Sequence, residues 1–451
     1  MANADKHSGI SSNRLEKQDC ADNFADLHPP LSHHEAIVAA ERCYFCYDAP
    51  CVTACPTQID IPLFIRQIST GNAIGSAHTI FSQNIMGGMC ARVCPTETLC
   101  EQVCVREEAE GKPVKIGELQ RFATDTAMAQ EKQFFQRAPS SGKKIAIVGA
   151  GPAGLACAHR LAVYGHDITI YDAKEKPGGL NEYGIAAYKT VDNFAQDEVA
   201  YITAIGGISV ENGKSLGKDI SLENLAQEFD AVFLGIGLGA TGDLGIEGEQ
   251  AEGVEDAIDF IANLRQAKEF SSVPIGNNVI VIGGGMTAID AAIQAKHLGA
   301  REVTICYRRG KEQMAASGFE QDLATAAGVT IRHWMQPDKI IEQNGSVNSL
   351  QLQYTATQNG KLAPTGEQVT LAADQIFKAI GQKLDGQKLQ SAGLEMAGNR
   401  IKINAQGKTT MANIWAGGDC AEGGDDLTVS AVAMGRDAAE DINSTLKQGD
   451  K

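Results

Sequence analysis

Eight of the chain's twelve cysteines lie between positions 43 and 104, in two runs. The stretch CYFCYDAPCVTACP carries Cys43, Cys46, Cys51 and Cys55, and CARVCPTETLCEQVC carries Cys90, Cys94, Cys100 and Cys104. Thiols at this density have three common uses. Zinc takes closed tetrahedral sites, usually from paired C-x2-C knuckles, and only Cys43 with Cys46 has that form. Disulfides persist in oxidising compartments, which nothing in the sequence indicates. Cysteine followed directly by proline occurs at Cys55-Pro56 and again at Cys94-Pro95. C-x2-C-xn-C-x3-C-P is the run that wraps a 4Fe-4S cube, its last cysteine serving a second cube. The spacing favours two interleaved clusters, with zinc and disulfides as the alternatives. Soft thiolate ligation suits that role, because such a cluster accepts one electron with little rearrangement.

The elements around these runs are helical. PTQIDIPLFIRQISTGNAIGSAHTIFSQN, between them, repeats apolar residues every three and four positions. An unpatterned stretch, FQRAPSSGKK, reads as a linker near residue 140. Beyond it, KKIAIVGAGPAGLACAHRLAVYGHDITIYDA has the order strand, glycine turn, helix, strand, acid. Gly149 would make the turn, Gly151 would admit a pyrophosphate, and Gly154 would let helix pack on strand, with Pro152 and Ala153 opening the helix. Asp172 stands where a carboxylate accepts the ribose hydroxyls.

The device recurs in NNVIVIGGGMTAIDAAIQAKHLGAREVTICYRRG, with Gly283, Gly285, Met286, Thr287 and Ala288 in the turn. Two such folds imply two dinucleotides. Tyr307 takes the place that Asp172 holds in the first, and Arg308 and Arg309 follow it. A missing carboxylate beside arginines favours a 2'-phosphate, hence NADP(H) over NAD(H); the plainer alternative is that one arginine is only solvated. FDAVFLGIGLGATG before this fold and DQIFKAIGQ after it, containing Gly381, resemble the crossover segments of two-dinucleotide flavoproteins. AGGDCAEGGDDLTVSAVAMGRDAAEDI resembles the flavin-closing motif of that superfamily, in which Gly418 and Asp419 approach the ribityl and phosphate region. A helix starting near Thr428 would aim its positive end at the flavin ring.

The expected architecture is α/β with an N-terminal α-helical iron–sulfur domain and two Rossmann-like dinucleotide-binding domains. Its expected boundaries are 1–140 for the clusters, 143–242 with 384–451 for FAD, and 243–383 for the nicotinamide fold inserted between those halves. Lys plus Arg number 39 against 56 Asp plus Glu, a net charge of −17, which disfavours nucleic acid and anionic lipid. The first thirty residues lack a signal-peptide core and no run reaches membrane-span length, so the expected location is cytoplasmic. Cys157, Cys306 and Cys420 are single, which excludes a C-x2-C relay beside the flavin. Electrons would therefore leave the flavin singly, through the clusters.

CYFCYDAPCVTACPTQIDIPLFI, CARVCPTETLC, IGELQRFATD, GGLNEYGI and AGGDCAEGGDDLTV together resemble the flavin and iron–sulfur subunits of bacterial NAD(P)-dependent dihydropyrimidine dehydrogenases, which are related to the glutamate synthase small subunit. The resemblance runs from about residue 25 to the C-terminus. It implies one cube on Cys43, Cys46, Cys51 and Cys104, and another on Cys55, Cys94, Cys100 and Gln120, leaving Cys90 over. It also implies that Gly179 and Leu180 line the flavin, and it matches Lys189 to a basic cofactor-site position. The large enzymes of this family carry a further arginine where Ala315 stands, which weakens the NADP(H) preference. Pyrimidine reduction in this family takes place on an FMN barrel, for which these 451 residues leave no room. The implied role is electron input from NAD(P)H, through FAD and two clusters, to a catalytic subunit containing FMN and iron–sulfur. The alternatives are the small subunit of glutamate synthase and, more remotely, a non-enzymatic flavin-binding redox sensor. No side chain is expected to act as acid or base. His33, His34, Trp334 and Trp415 are expected to be solvated helix-start or packing residues.

Overall fold

In the computed structural model residues 9–239 and 241–449 are described. The N-terminal part is helical because its apolar residues recur at helical spacing and its polar residues cap: α1 (Lys17–Asn23), α2 (His33–Ala40), α3 (Pro50–Ala54), α4 (Ile61–Ser69), α5 (Ala73–Gln83), α6 (Gly87–Val93), α7 (Val105–Glu110) and α8 (Ile116–Ala129). Ser32 and Glu35 close a capping box on α2, so His33 and His34 lie exposed in its first turn. Asp60 caps α4, accepting from the Leu63 amide at 3.0 Å, and the helix buries Ile61, Phe64, Ile65 and Ile68.

Strand and helix then alternate: β1 (Lys144–Val148), α9 (Pro152–Val163), β2 (Asp167–Asp172), α10 (Leu180–Tyr183), α11 (Phe194–Thr203), β3 (Ile208–Asn212), α12 (Leu222–Glu228) and β4 (Ala231–Leu234). Next come β5 (Val254–Asp256), α13 (Ala257–Gln266), β6 (Asn278–Gly283), α14 (Met286–His297), β7 (Glu302–Tyr307), α15 (Gly318–Ala326) and β8 (Thr330–His333). β9 (Met335–Gln343), β10 (Ser346–Gln358) and β11 (Lys361–Ala372) form an antiparallel ribbon. The chain ends with β12 (Gln375–Ala379), α16 (Gly386–Ser391), β13 (Met396–Ala397), β14 (Arg400–Ile401), β15 (Ile414–Ala416) and α17 (Thr428–Gly449).

Two five-stranded parallel sheets result, in the orders β15-β4-β1-β2-β3 and β5-β12-β6-β7-β8. Their central strands are apolar on both faces, as parallel strands covered by helices must be. β15 joins the first sheet although the whole second sheet precedes it in the chain.

The chain divides into two units. One holds the chain up to Leu27, Tyr183–Val191 and Ala240–Lys383, and the other His28–Glu182, Asp192–Gly239 and Leu384–Lys451. Two expectations change here. The segment before Leu27 was assigned to the cluster region, yet it packs with the second sheet. Phe24 packs its ring tilted against Phe270 and edge-on to His297, and Ser11 bridges to Ile275. The supposed linker near residue 140 is also anchored. Phe134 packs on Phe81, Phe135 meets His159 edge-on, and Arg137 bonds the His166 carbonyl and Asp167. Trp415 is fully buried, with its indole N–H on Asp441 at 2.8 Å, and Trp334 packs its ring over Gly310.

Candidate functional site

Cys43, Cys46, Cys51 and Cys104 line one cavity of about 380 Å3, part of it open to solvent and otherwise walled by apolar residues such as Ile61 and Ile65. Three segments bring them there: the loop after α2, α3, and the turn that starts α7. Burial pushes the Cys43 thiol up, and that of Cys51 up to about 12. Binding a metal there must displace protons, since thiolates are the ligands. Among the described residues no three Cys, His, Asp or Glu side chains are drawn together as ligands of a single ion.

The second group is deeper. Cys55 and Cys100 are buried, and Cys94 lies within electrostatic reach of both. A hydrogen bond that the Cys94 thiol donates to Cys90, and burial, hold that thiol well above its ordinary value. Cys90, left over by the ligand assignment, is thus a neighbour of an assigned cysteine. Gln120, on α8, is 8% exposed and donates its amide to the Gly87 carbonyl at 2.7 Å. That bond commits the amide nitrogen, so the carbonyl oxygen is the atom with which this side chain could bind iron.

Gly87 opens α6, and α6 is fixed from the other side by a residue that no local sequence pattern marks. Glu198 of α11 is fully buried, accepts the Met89 amide at 2.9 Å on Oε1, and has no hydrogen-bond partner on Oε2. Burial raises its pKa to about 8, although the Met89 and Gly88 amides and Arg92 pull it down. Arg92 spends its charge on Asp125 at 2.9 Å and on the face of Phe194.

The first glycine turn has the shape of a phosphate cradle. Gly149 has φ +103, and a Cβ on it would collide with the Gly235 carbonyl; one on Gly154 would strike the Gly149 carbonyl. At Gly151 a Cβ would have only Gly179 within 4 Å, at 3.8 Å, so the backbone there is open to approach. Pro152 and Ala153 start α9. Asp172 is 8% exposed and accepts the Ala150 amide at 2.6 Å, which fixes its carboxylate beside the turn. Gly179 has φ +57 and lies against Gly151, while Leu180 is 42% exposed. Asp419 follows Gly418, lies near Gly237, and is raised to about 6 by burial and then by Asp426. Thr428 opens α17 and donates to the Asn181 side-chain oxygen at 2.9 Å, while Asn181 Nδ2 is buried without a partner. An orphaned donor near an open glycine turn fits a site for a polar ligand.

In the second turn Gly283 lies against Ala379, and Gly285 has nothing within reach of a Cβ. Met286 and Thr287 begin α14 and Ala288 is buried. The Tyr307 ring covers Gly284 and its hydroxyl bonds the Gln313 carbonyl, so an aromatic ring occupies the position that Asp172 fills in the first fold. Arg308 and Arg309 follow at the end of β7. Alongside, Arg332 and His333 stand in register with Cys306 and Tyr307. Arg332 Nε and His333 Nε2 are buried without partners, and sequence reading missed both. Gly381 has φ +96, and its carbonyl accepts the Gly242 amide. Lys189, matched to the cofactor site, instead pairs with Asp290 at 2.7 Å and Glu320 at 2.8 Å. Burial lowers its pKa, but these two acids together outweigh that and raise it above the ordinary lysine value.

Residues 143–435 match the family model of pyridine nucleotide-disulphide oxidoreductases, and residues 20–132 match that of dihydropyrimidine dehydrogenase domain II, 4Fe-4S cluster. The NAD-dependent dihydropyrimidine dehydrogenase subunit PreT of Escherichia coli K12 is 36% identical over 428 residues, 94% of this chain and 98% of that protein. The glutamate synthase [NADPH] small chain of the same organism is 31% identical, with 94% of each chain covered. Among solved structures, Mycobacterium tuberculosis FprA in complex with NADPH superposes with a TM-score of 0.56 at 19% identity, covering 69% of this chain and 86% of that one. This last likeness concerns the fold. No helix among the described residues is long and apolar enough to cross a membrane.

Glu198 titrates above its ordinary 4.5, so its stabilising neutral form is fully present below pH 4.5 and lost as pH rises through about 8. Glu198→Gln keeps the shape without the titration. Thermal unfolding should show little change at pH 4.5, and stabilisation growing by up to ~1.4 kcal/mol per pH unit towards pH 8. Parallel pH profiles for the two proteins would contradict this account of Glu198.

Proposed function

Because the chain belongs to the pyridine nucleotide-disulphide oxidoreductase family, as an NAD(P)H-dependent FAD and iron–sulfur oxidoreductase, we propose that it is the electron-input subunit of a pyrimidine-reducing enzyme. The observation that carries the reading is the convergence of Cys43, Cys46, Cys51 and Cys104 on one cavity, in a chain matching PreT along 94% of its length.

In this reading residues 143–242 and 384–451 form the FAD fold, 243–383 the inserted nicotinamide fold, and the helical region binds two 4Fe-4S clusters. Cys43, Cys46, Cys51 and Cys104 hold one cluster; Cys55, Cys94, Cys100 and Gln120 hold the other. A flavin held here would supply the exchange between two-electron nicotinamide chemistry and one-electron iron–sulfur chemistry. The protein supplies positions. Gly149, Gly151 and Gly154 leave room for the pyrophosphate, Asp172 takes the ribose hydroxyls, and Asp419 and the start of α17 close over the flavin. Lys189 contributes by holding Asp290 and Glu320 rather than by offering a free charge to a cofactor.

The nicotinamide fold is read as preferring NADP(H). Tyr307 removes the carboxylate that would repel a 2'-phosphate, and Arg308, Arg309, Arg332 and His333 gather donors at the end of β7 and β8. The relatives' names divide between the two nucleotides, so the test is direct. Arg308→Ala should weaken NADPH binding at least tenfold more than NADH binding; equal losses would refute the preference.

The partner in this reading is an FMN- and iron–sulfur-containing catalytic subunit acting on uracil or thymine. Anaerobic co-purification of the tagged chain from its host should bring down such a flavoprotein and yield NAD(P)H-dependent uracil reduction. A glutamine- and 2-oxoglutarate-converting partner would instead make the chain a glutamate synthase subunit. Cys43→Ser and Cys100→Ser should each lose about half of the iron, the share of one cube in two, with FAD retained. An unchanged iron count in either variant would refute the ligand assignment.

A further inference from the structure

Asn181 carries an unspent hydrogen-bond donor. It lies on α10, is 1% exposed, and its Oδ1 accepts the Thr428 hydroxyl at 2.9 Å. That bond turns Nδ2 away from Thr428, and Nδ2 is buried without a partner. A side-chain amide has two N–H donors, and leaving a buried donor unmade costs ~1–3 kcal/mol. Buried polar groups in folded proteins nearly always find a partner, so something outside the protein's own atoms is due at this position.

The neighbours say what. Gly179, two residues before Asn181, touches Gly151 of the first glycine turn, and the Gly178 amide donates to the Ala150 carbonyl at 2.8 Å. Thr428 is the first residue of the 22-residue α17, whose positive end lies at this point. The amide is thus held between the phosphate turn and the end of a long helix dipole, both of which favour a ligand that gains negative charge.

We propose that Asn181 is a flavin-binding residue, its Nδ2 donating to an acceptor atom of the isoalloxazine ring and its orientation locked by Thr428. The proposal rests on the reading of this unit as the FAD fold. A donor at the ring stabilises the electron density added on reduction and adds to the effect of α17. Asn181 therefore sets how readily the flavin accepts a hydride, without itself moving a proton.

The test uses the full chain, purified anaerobically, with FAD content, visible spectrum and flavin midpoint potential as readouts. Wild type, N181A and the near-isosteric N181D are compared, N181D keeping the acceptor for Thr428. Both variants should favour oxidised flavin by at least tenfold relative to wild type, about 30 mV for a two-electron couple, with the flavin absorption band shifted. Loss of FAD from N181A with its iron count intact would also support the contact. Wild-type spectra and potentials in both variants would overturn the proposal and assign Nδ2 to an ordered water. Wild-type protein that binds no flavin would overturn the FAD reading itself.

Discussion

The unit built on the first sheet depends on how closely α17 can approach α9. A Cβ at Gly435 would collide with the Ala153 carbonyl at the start of α9, so the two helices meet backbone to backbone beside the first glycine turn. That contact sets where α17 begins, and with it the place of Thr428 and the orientation of Asn181. It also brings Gly418 near Ala153. The turn itself is made by contacts of the same kind, Gly149 against Gly235 and Gly154 against Gly149. Residues some 280 positions apart thus define one site because side chains are absent where backbones meet.

The helical region meets a different constraint. Its thiols are carried on short helices and turns, and burial opposes the ionisation of Cys43, Cys51 and Cys100. Thiolate ligation has to overcome that burial, which ties formation of the iron–sulfur sites to folding. α6 is braced from both sides. Gln120 holds the Gly87 carbonyl, while Glu198 from α11 holds the Met89 amide. One seven-residue helix therefore connects the second thiol group to the framework of the first sheet.

Much of this was legible in the sequence. Strand–glycine–helix order located both dinucleotide turns, because a buried parallel strand and a tight turn each demand particular residue types over a few consecutive positions. Cysteine spacing located the thiol groups for the same reason. What depends on distant contacts was not legible. Glu198 reads as an ordinary helix acid, and only packing against α6 shows that it is buried. Lys189 reads through the resemblance as a basic cofactor-site residue, and only α14 and α15 supply its acids. Phe24, Phe134 and Phe135 sit in stretches without periodicity, so their anchoring roles leave no local pattern. Arg332 and His333 end a strand whose register with β7 places them beside Cys306 and Tyr307.

The central claim is that this chain carries one flavin and two iron–sulfur cubes. Anaerobic analysis of the purified chain for FAD, iron, acid-labile sulfide and zinc tests it most directly. The account predicts one FAD, with iron and sulfide each at about eight atoms per chain. Zinc in place of iron, or iron without matching sulfide, would contradict it.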